Sequence, residues 1–359
     1  MKKLTLLASV TFVLLFLTPS LSLAFGGSPK TTSHMNAADS ALKTAMNTLD
    51  VTSDTPGFMV LTNAGYGQAD SSSTEAYLDV ITRTTGRTPG TRTLLLVNTP
   101  CTEPLWFSVF RKDDQSAVFI KLTPDGFKSQ TLVLAPASLF QPDGWAAARK
   151  GLVGGRLFSV ASISLSWAEG APWLMLKGAE LHDHFCPGLN AGFMVKAYLD
   201  ENLPLGPGDA YVFVGAPPIC AMDALQSAYG ATMGKHGAYS VLSAKAADKQ
   251  VKNGVAPTLI AMRVNKKKDT CEGMFIGFDW TKSESFTGVT SADRSPSGGK
   301  KNPLFFISRV KMSWKLAQMD MKDKLACIKD LGRFEGPASL AGKVAGADAD
   351  PYAIALSDQ

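Results

Sequence analysis

The stretch Leu181-His182-Asp183-His184-Phe185-Cys186-Pro187-Gly188-Leu189 constrains this chain more than any other. It places two of the four histidines and one of the five cysteines within five positions. Imidazole and thiolate are borderline-soft donors suited to zinc, copper, iron or nickel, and an extended H-x-H-x-C run offers alternate side chains to one ion. The competing interpretation is a buried cysteine beside two surface histidines. Pro187 suits the first turn of a helix, and Leu189, Phe193, Lys196, Ala197 and the run from Leu199 to Leu203 carry that helix to a turn at Pro204–Gly208. Cys186 therefore falls at a helix N-terminus, where unpaired amides and the positive end of the helix dipole favour a thiolate.

A second junction of the same kind follows. Asp209–Val214 reads as a buried strand that runs through Gly215-Ala216-Pro217-Pro218 to Cys220 at a second helix start. Asp223 and Gln226 lie three and six residues further on, so they share a helical face with Cys220. Two helix starts that each carry a cysteine are expected to converge on one site.

The two blocks, H-x-H-x-C-P-G-L and C-x-x-D-A-L-Q-x-x-x-G-x-T-x-G-K, resemble the FmdE family domain, named for formylmethanofuran dehydrogenase, over about residues 175–245, and more loosely to about 330. The resemblance implies an α+β domain, often dimeric, with a cleft lined by the motif histidines and cysteines and able to bind a metal such as zinc. Carried over residue by residue, it points to His182, His184, Cys186, Cys220, Asp223, Gln226 and Lys235. Two departures leave the ligand set open: Ala231 stands where the family often has a second cysteine, and His236 where a glycine is usual.

The metal ligands are therefore expected among His182, His184, Cys186 and Cys220. His184, Cys186 and Cys220 come first, with His182 as a fourth ligand or a supporting group. Asp183 and Asp223 would orient imidazoles through their free N–H groups. Three functional readings stay open. One is a domain that binds a transition metal, zinc foremost, with a metal ion or small molecule as its partner. A second is an enzyme that uses an open coordination position or a Cys186 or Cys220 nucleophile, with Asp223 or His236 moving protons and Lys235 stabilising negative charge. The third is a module that delivers a metal or a metallated cofactor. Gln226 and Gly234 are cofactor-binding candidates, since the loop Gly230–Gly237 can cradle an anionic group, although it lacks the phosphate-loop pattern.

At the N-terminus, Met1-Lys2-Lys3, the apolar run Leu4–Leu17 and the small residues of Ser22-Leu23-Ala24 read as a secretory signal peptide cut after Ala24. The run is short for a bilayer span and no later segment approaches one, so stable membrane insertion is not expected. The periplasm is the expected location, which separates this chain from the cytoplasmic complex that gave the family its name; fold and site carry over independently of pathway. The remaining 335 residues carry a formal charge of +3 and suffice for two domains. That charge, with no aromatic-interleaved basic patch, gives no argument for nucleic acid. Cys101, Cys186, Cys220, Cys271 and Cys327 are widely spaced with no C-x-x-C. Spacing fixes no disulfide; Cys271 with Cys327 is the pairing expected if one forms.

The expected fold class is α+β: two domains of mixed sheet with packed helices, at 25–170 and 171–335, followed by a loose tail at 336–359. Helices are expected near 33–49, 74–84, 141–156 and 311–331. Strands are expected at 57–62, 93–98, 157–167, 238–242, 258–264, 273–278 and 304–307, with a hairpin of 118–122 and 130–134 about Pro124-Asp125-Gly126. A polar helix or loop is expected at 245–253 and a surface loop at 291–302. Asn63–Tyr66, Ala76–Asp79, a strand and Cys101 mirror Asn190–Phe193, Ala197–Asp200, a strand and Cys220. The N-terminal half is therefore read as a degenerate copy of the second domain, giving an internal pseudo-dimer or, failing that, a homodimer; chance similarity of common residues is the rival explanation.

Overall fold

The computed structural model describes residues 29–242, 252, 254–296, 302–346 and 350–357. The signal peptide expected at 1–24 and most of the polar segment expected at 245–253 lie outside the described residues. The first half runs α1 (Pro29–Thr48), β1 (Phe58–Thr62), α2 (Ala76–Thr85), β2 (Leu94–Leu96), β3 (Trp106–Arg111), β4 (Ser116–Thr123), β5 (Gly126–Val133), α3 (Pro136–Leu139) and α4 (Pro142–Arg149). Helices α5 (Leu157–Ala168), α6 (Trp173–His182) and α7 (Pro187–Asn202) lead to β6 (Ala210–Gly215), α8 (Ala221–Tyr229), β7 (Ala238–Ser240), β8 (Pro257–Asn265) and β9 (Thr270–Phe278). The chain closes with α9 (Trp280–Thr287), α10 (Ser291–Arg294), α11 (Phe305–Gln318), α12 (Met321–Ala326), β10 (Ile328–Gly336), α13 (Leu340–Val344) and α14 (Pro351–Ser357).

Strands alternate their side chains between two faces, and here both faces of the central strands of each sheet are buried. In β1, Phe58 and Val60 face α1 and α2, while Met59 and Leu61 face a core built with α5 and α6. In the second sheet, Tyr211, Phe213 and Ile276 pack on α7, α8 and α11, and Val214, Ile260 and Phe275 pack on α13 and α14. Helix α7 serves both sheets: Leu189 and Phe193 enter the first sheet's core, and Met194, Val195 and Leu199 enter the second's. A helix that is apolar on all sides belongs inside a molecule, and α7, α8 and α11 form a buried middle layer. That core joins residues on both sides of position 170.

The two sheets have the same plan. Their strand orders are β2-β1-β3-β4-β5 and β7-β6-β8-β9-β10, each with one parallel pair at the first edge and antiparallel pairs beyond it. In each, one helix joins the parallel pair, α2 in the first and α8 in the second. The residue blocks expected to mark the repeat are out of register with this plan: Ala76–Asp79 opens α2, whereas Ala197–Asp200 lies in α7. Cys101 sits exposed between β2 and β3 and is not the counterpart of Cys220. The hairpin β4–β5 turns through 124–125, and its counterpart β9–β10 carries an insertion, α9 to α12.

Several expectations are corrected. Residues 157–167 form α5, not a strand; its alternating serines are buried with its apolar residues, so burial on all sides looked like period two. Residues 304–307 begin α11 instead of forming a strand, and β3 at 106–111 was not anticipated. The helix expected over 311–331 ends at Gln318; Asp320 caps α12, its side chain accepting from the Asp323 N–H, and 328–336 is strand. In the tail beyond Gly336, α13 and α14 pack on the second sheet, with Leu340, Val344 and Tyr352 fully buried. Cys271 and Cys327 are free thiols in different cores, on opposite faces of the second sheet.

Candidate metal centre

The end of α6 and the starts of α7 and α8 bring the site together. Helix α6 ends at His182, where Asp183 takes a left-handed φ of 64° that an aspartate tolerates and the chain turns. The Phe185 N–H donates to Ser162 Oγ of α5 at 3.0 Å, and the Phe185 ring is fully buried, which pins the segment between the helices. Cys186 caps α7: its Sγ accepts from the Leu189 N–H at 3.3 Å, and its carbonyl accepts from Asn190 Nδ2 at 3.0 Å. Cys220 occupies the cap position of α8. Small residues let the two helix starts meet. A Cβ at Gly188 would lie 3.0 Å from Cys220 Cβ, and one at Gly192 would lie 2.6 Å from the Ala221 carbonyl oxygen.

The donor atoms of His182, Cys186 and Cys220 lie within 4.8 Å of one another. They form a group able to hold a metal ion. Cys186 Sγ is 3.7 Å from His182 Nε2; tetrahedral zinc at its usual Zn–S and Zn–N lengths places two such donors about 3.6 Å apart. His182 Nδ1 donates to Asp223 Oδ2 at 2.6 Å, and Gln226 Nε2 donates to Asp223 Oδ1 at 3.2 Å. This carboxylate selects the tautomer that leaves Nε2 facing the sulfurs, an arrangement common behind metal-bound imidazoles. The donor set and its spacing fit a tetrahedral ion with one position left over.

The run is not extended, contrary to expectation, so alternate side chains do not converge. His182 and Cys186, four residues apart, meet instead. His184 lies beside the group with its ring 4.4 Å from that of His182 and its Nδ1 bonded to Asp183, and it lines a cavity that Cys186 and Cys220 also border. Arg156 holds Asp183 at 3.0 Å and grips Glu103 with two nitrogens, tying the first half to the site. Gly234, Lys235 and His236 are exposed and line none of the three cavities that reach Cys220; His236 Nδ1 lies 3.3 Å from the Tyr239 hydroxyl.

Residues 181–282 match a family described as "FmdE, Molybdenum formylmethanofuran dehydrogenase operon". These residues form an FmdE-family domain. No curated protein matches the chain. The FmdE domain contains all three clustered donors together with Asp223 and Gln226, and it ends before α11.

Electrostatics separate the two cysteines. The neighbouring Cys186 thiol, against the opposing effect of burial, and the His182 imidazolium bring the Cys220 thiol down to about 4. The Cys220 thiolate, with burial, pushes Cys186 well above the ordinary thiol range. Burial would depress the His182 imidazole, but Asp223 and the Cys220 thiolate outweigh it and raise it to about 9. Without metal, the neutral-pH site is thus a thiolate, a thiol and an imidazolium.

Cys220 borders three cavities, of about 840, 310 and 380 Å³. Cys186 borders the first two, and Arg309 of α11 lies on the wall of both. Neither Arg309 nor Arg156 was picked out in the sequence, because nothing local marks a residue brought in from a distant helix.

Proposed function

We propose that this protein binds a transition metal, zinc by preference, through His182, Cys186 and Cys220 of its FmdE domain, and that it works in the periplasm. The observation that carries the metal reading is the Asp223-His182 pair, which leaves one imidazole nitrogen 3.7 Å from Cys186 Sγ, close to tetrahedral spacing, and within 4.8 Å of Cys220 Sγ. Two thiolates and an imidazole favour zinc over the harder magnesium or calcium. The periplasmic assignment rests on the basic start, short apolar run and small residues before position 25. Asp223 holds the His182 proton on Nδ1, Gln226 holds Asp223, and Cys186 is buried while Cys220 opens to the adjoining cavities.

The 840 Å³ cavity beside Cys186 and Cys220 favours a second, related reading. Structural zinc sites close with four protein ligands, whereas catalytic sites keep three and an open position. A zinc held here supplies Lewis acidity to a small molecule in that position. Cobalt(II) loading tests the ligand set. The parent is expected to give the intense visible bands of tetrahedral cobalt with thiolate charge transfer, and Cys186→Ala to lose them. A parent spectrum of octahedral cobalt without charge transfer would reject the proposal.

A further inference from the structure

We propose that the larger cavity binds a small carboxylate with an apolar body, and that Arg309 takes its carboxylate. The inference rests on the metal reading above and names the kind of molecule that meets the metal. Zinc on two thiolates and a neutral imidazole has no net charge, so the surrounding residues set the sign of the ligand. In this cavity Glu103 and Asp183 are both engaged by Arg156. Lys121 and Arg309 also line it, and neither makes an ion pair among the described residues. The cavity therefore carries uncompensated positive charge next to the thiols.

Arg309 is poised more specifically than by charge alone. Its Nη1 donates to the carbonyls of Arg294 at 2.6 Å and Phe305 at 3.1 Å, and its guanidinium lies over the Phe305 ring at 3.6 Å. Nε and Nη2 have no partner among the described residues, which leaves the edge of the fork that carboxylates bind with two parallel hydrogen bonds. Aromatic side chains line the cavity beside it. Phe158 packs on His184 at 4.5 Å and on Phe306 at 5.3 Å, and Phe306 remains 39 % exposed at the cavity rim. An apolar body lying against these rings puts its carboxylate between Arg309 and the His/Cys group. Arg309 comes from the insertion between β9 and β10, outside residues 181–282, so the ligand would be a property of this chain's own embellishment.

Benzoate, its neutral isostere benzamide and inorganic phosphate, each titrated calorimetrically into the zinc-loaded full chain, test this. Zinc content is measured on the same samples. Saturable benzoate binding is expected, with benzamide and phosphate much weaker. Arg309→Gln is expected to weaken benzoate about ten- to a hundredfold, the scale of a lost charged hydrogen-bond pair, with zinc content unchanged. Should Arg309→Gln fail to fold, Phe306→Ala serves instead and is expected to weaken benzoate without altering zinc. No benzoate binding by a zinc-loaded parent, equal binding of benzamide or phosphate, or unchanged benzoate affinity in the variant overturns this inference alone. A parent that holds no zinc overturns the metal reading and this inference together.

Discussion

At the scale of single residues, the site depends on where protons sit before a metal arrives. With His182 raised to about 9, Cys186 raised and Cys220 lowered to about 4, loading at neutral pH must expel two protons, from His182 and Cys186. Between those limits, zinc affinity is expected to fall about a hundredfold for each pH unit of acidification, measurable by competition with a chelator. In the metal-free protein the raised His182 value stabilises the fold fully below an ordinary imidazole's pKa of about 6.5, and this support is lost as pH climbs through about 9. Cys220 runs the opposite way, its contribution complete only above the ordinary thiol range and lost as pH falls toward about 4. Asp223→Asn keeps the size but weakens the acceptor behind His182; we expect zinc affinity to drop about 10–100-fold. A chelator competition showing equal affinity would leave Asp223 with no part in metal binding. The spacing of His182, Cys186 and Cys220 in the sequence marked the neighbourhood of the site. It could not show that Asp183 turns the chain, which is what brings His182 rather than His184 to the sulfurs.

At the scale of elements, the convergence of α7 and α8 hangs on glycines whose helical spacing only the packing explains. A methyl at Gly192 would meet the Ala221 carbonyl oxygen and Ala224 Cβ at 2.6 Å each, atoms that belong to a helix buried on both sides. Gly192→Ala is therefore expected to destabilise the fold by about 1–3 kcal/mol despite alanine's better helix propensity. Thermal unfolding that shows a gain would be incompatible with this packing. The helices α7 and α8 were legible from caps, proline and periodicity, because each begins at a cysteine after an abrupt turn. Helix α5 was not, because Ser159, Ser162, Ser164 and Ser166 are buried with its leucines, and a helix surrounded by protein has no polar face to set the period.

At the scale of the whole molecule, two sheets of the same plan enclose one helical layer, and the second sheet is closed on its far side by α13 and α14. Leu340, Val344 and Tyr352 are fully buried there, and the Tyr352 hydroxyl donates to the Ala216 carbonyl at 2.7 Å, on the loop that leads to Cys220. Each such side chain is worth about 1.5–3 kcal/mol, and a domain's whole margin is about 5–15 kcal/mol. A chain ending at Gly336 is expected to lose cooperative unfolding or to aggregate; a melting curve like the parent's would show that the tail is dispensable. The tail resembles a loose extension in the sequence because the burial of Leu340, Ala341, Val344 and Tyr352 comes from the sheet they cover. The repeated plan was sensed in short blocks, but those blocks fall on different elements, since strand order repeats here where residue identity does not. The metal proposed for His182, Cys186 and Cys220 is the point on which the rest depends, and elemental analysis of the purified full chain beside His182→Ala and Cys220→Ala checks it. About one equivalent of zinc is expected in the parent, with a large loss in both variants. A parent without transition metal, or variants that retain the parent's full content, would rule this site out.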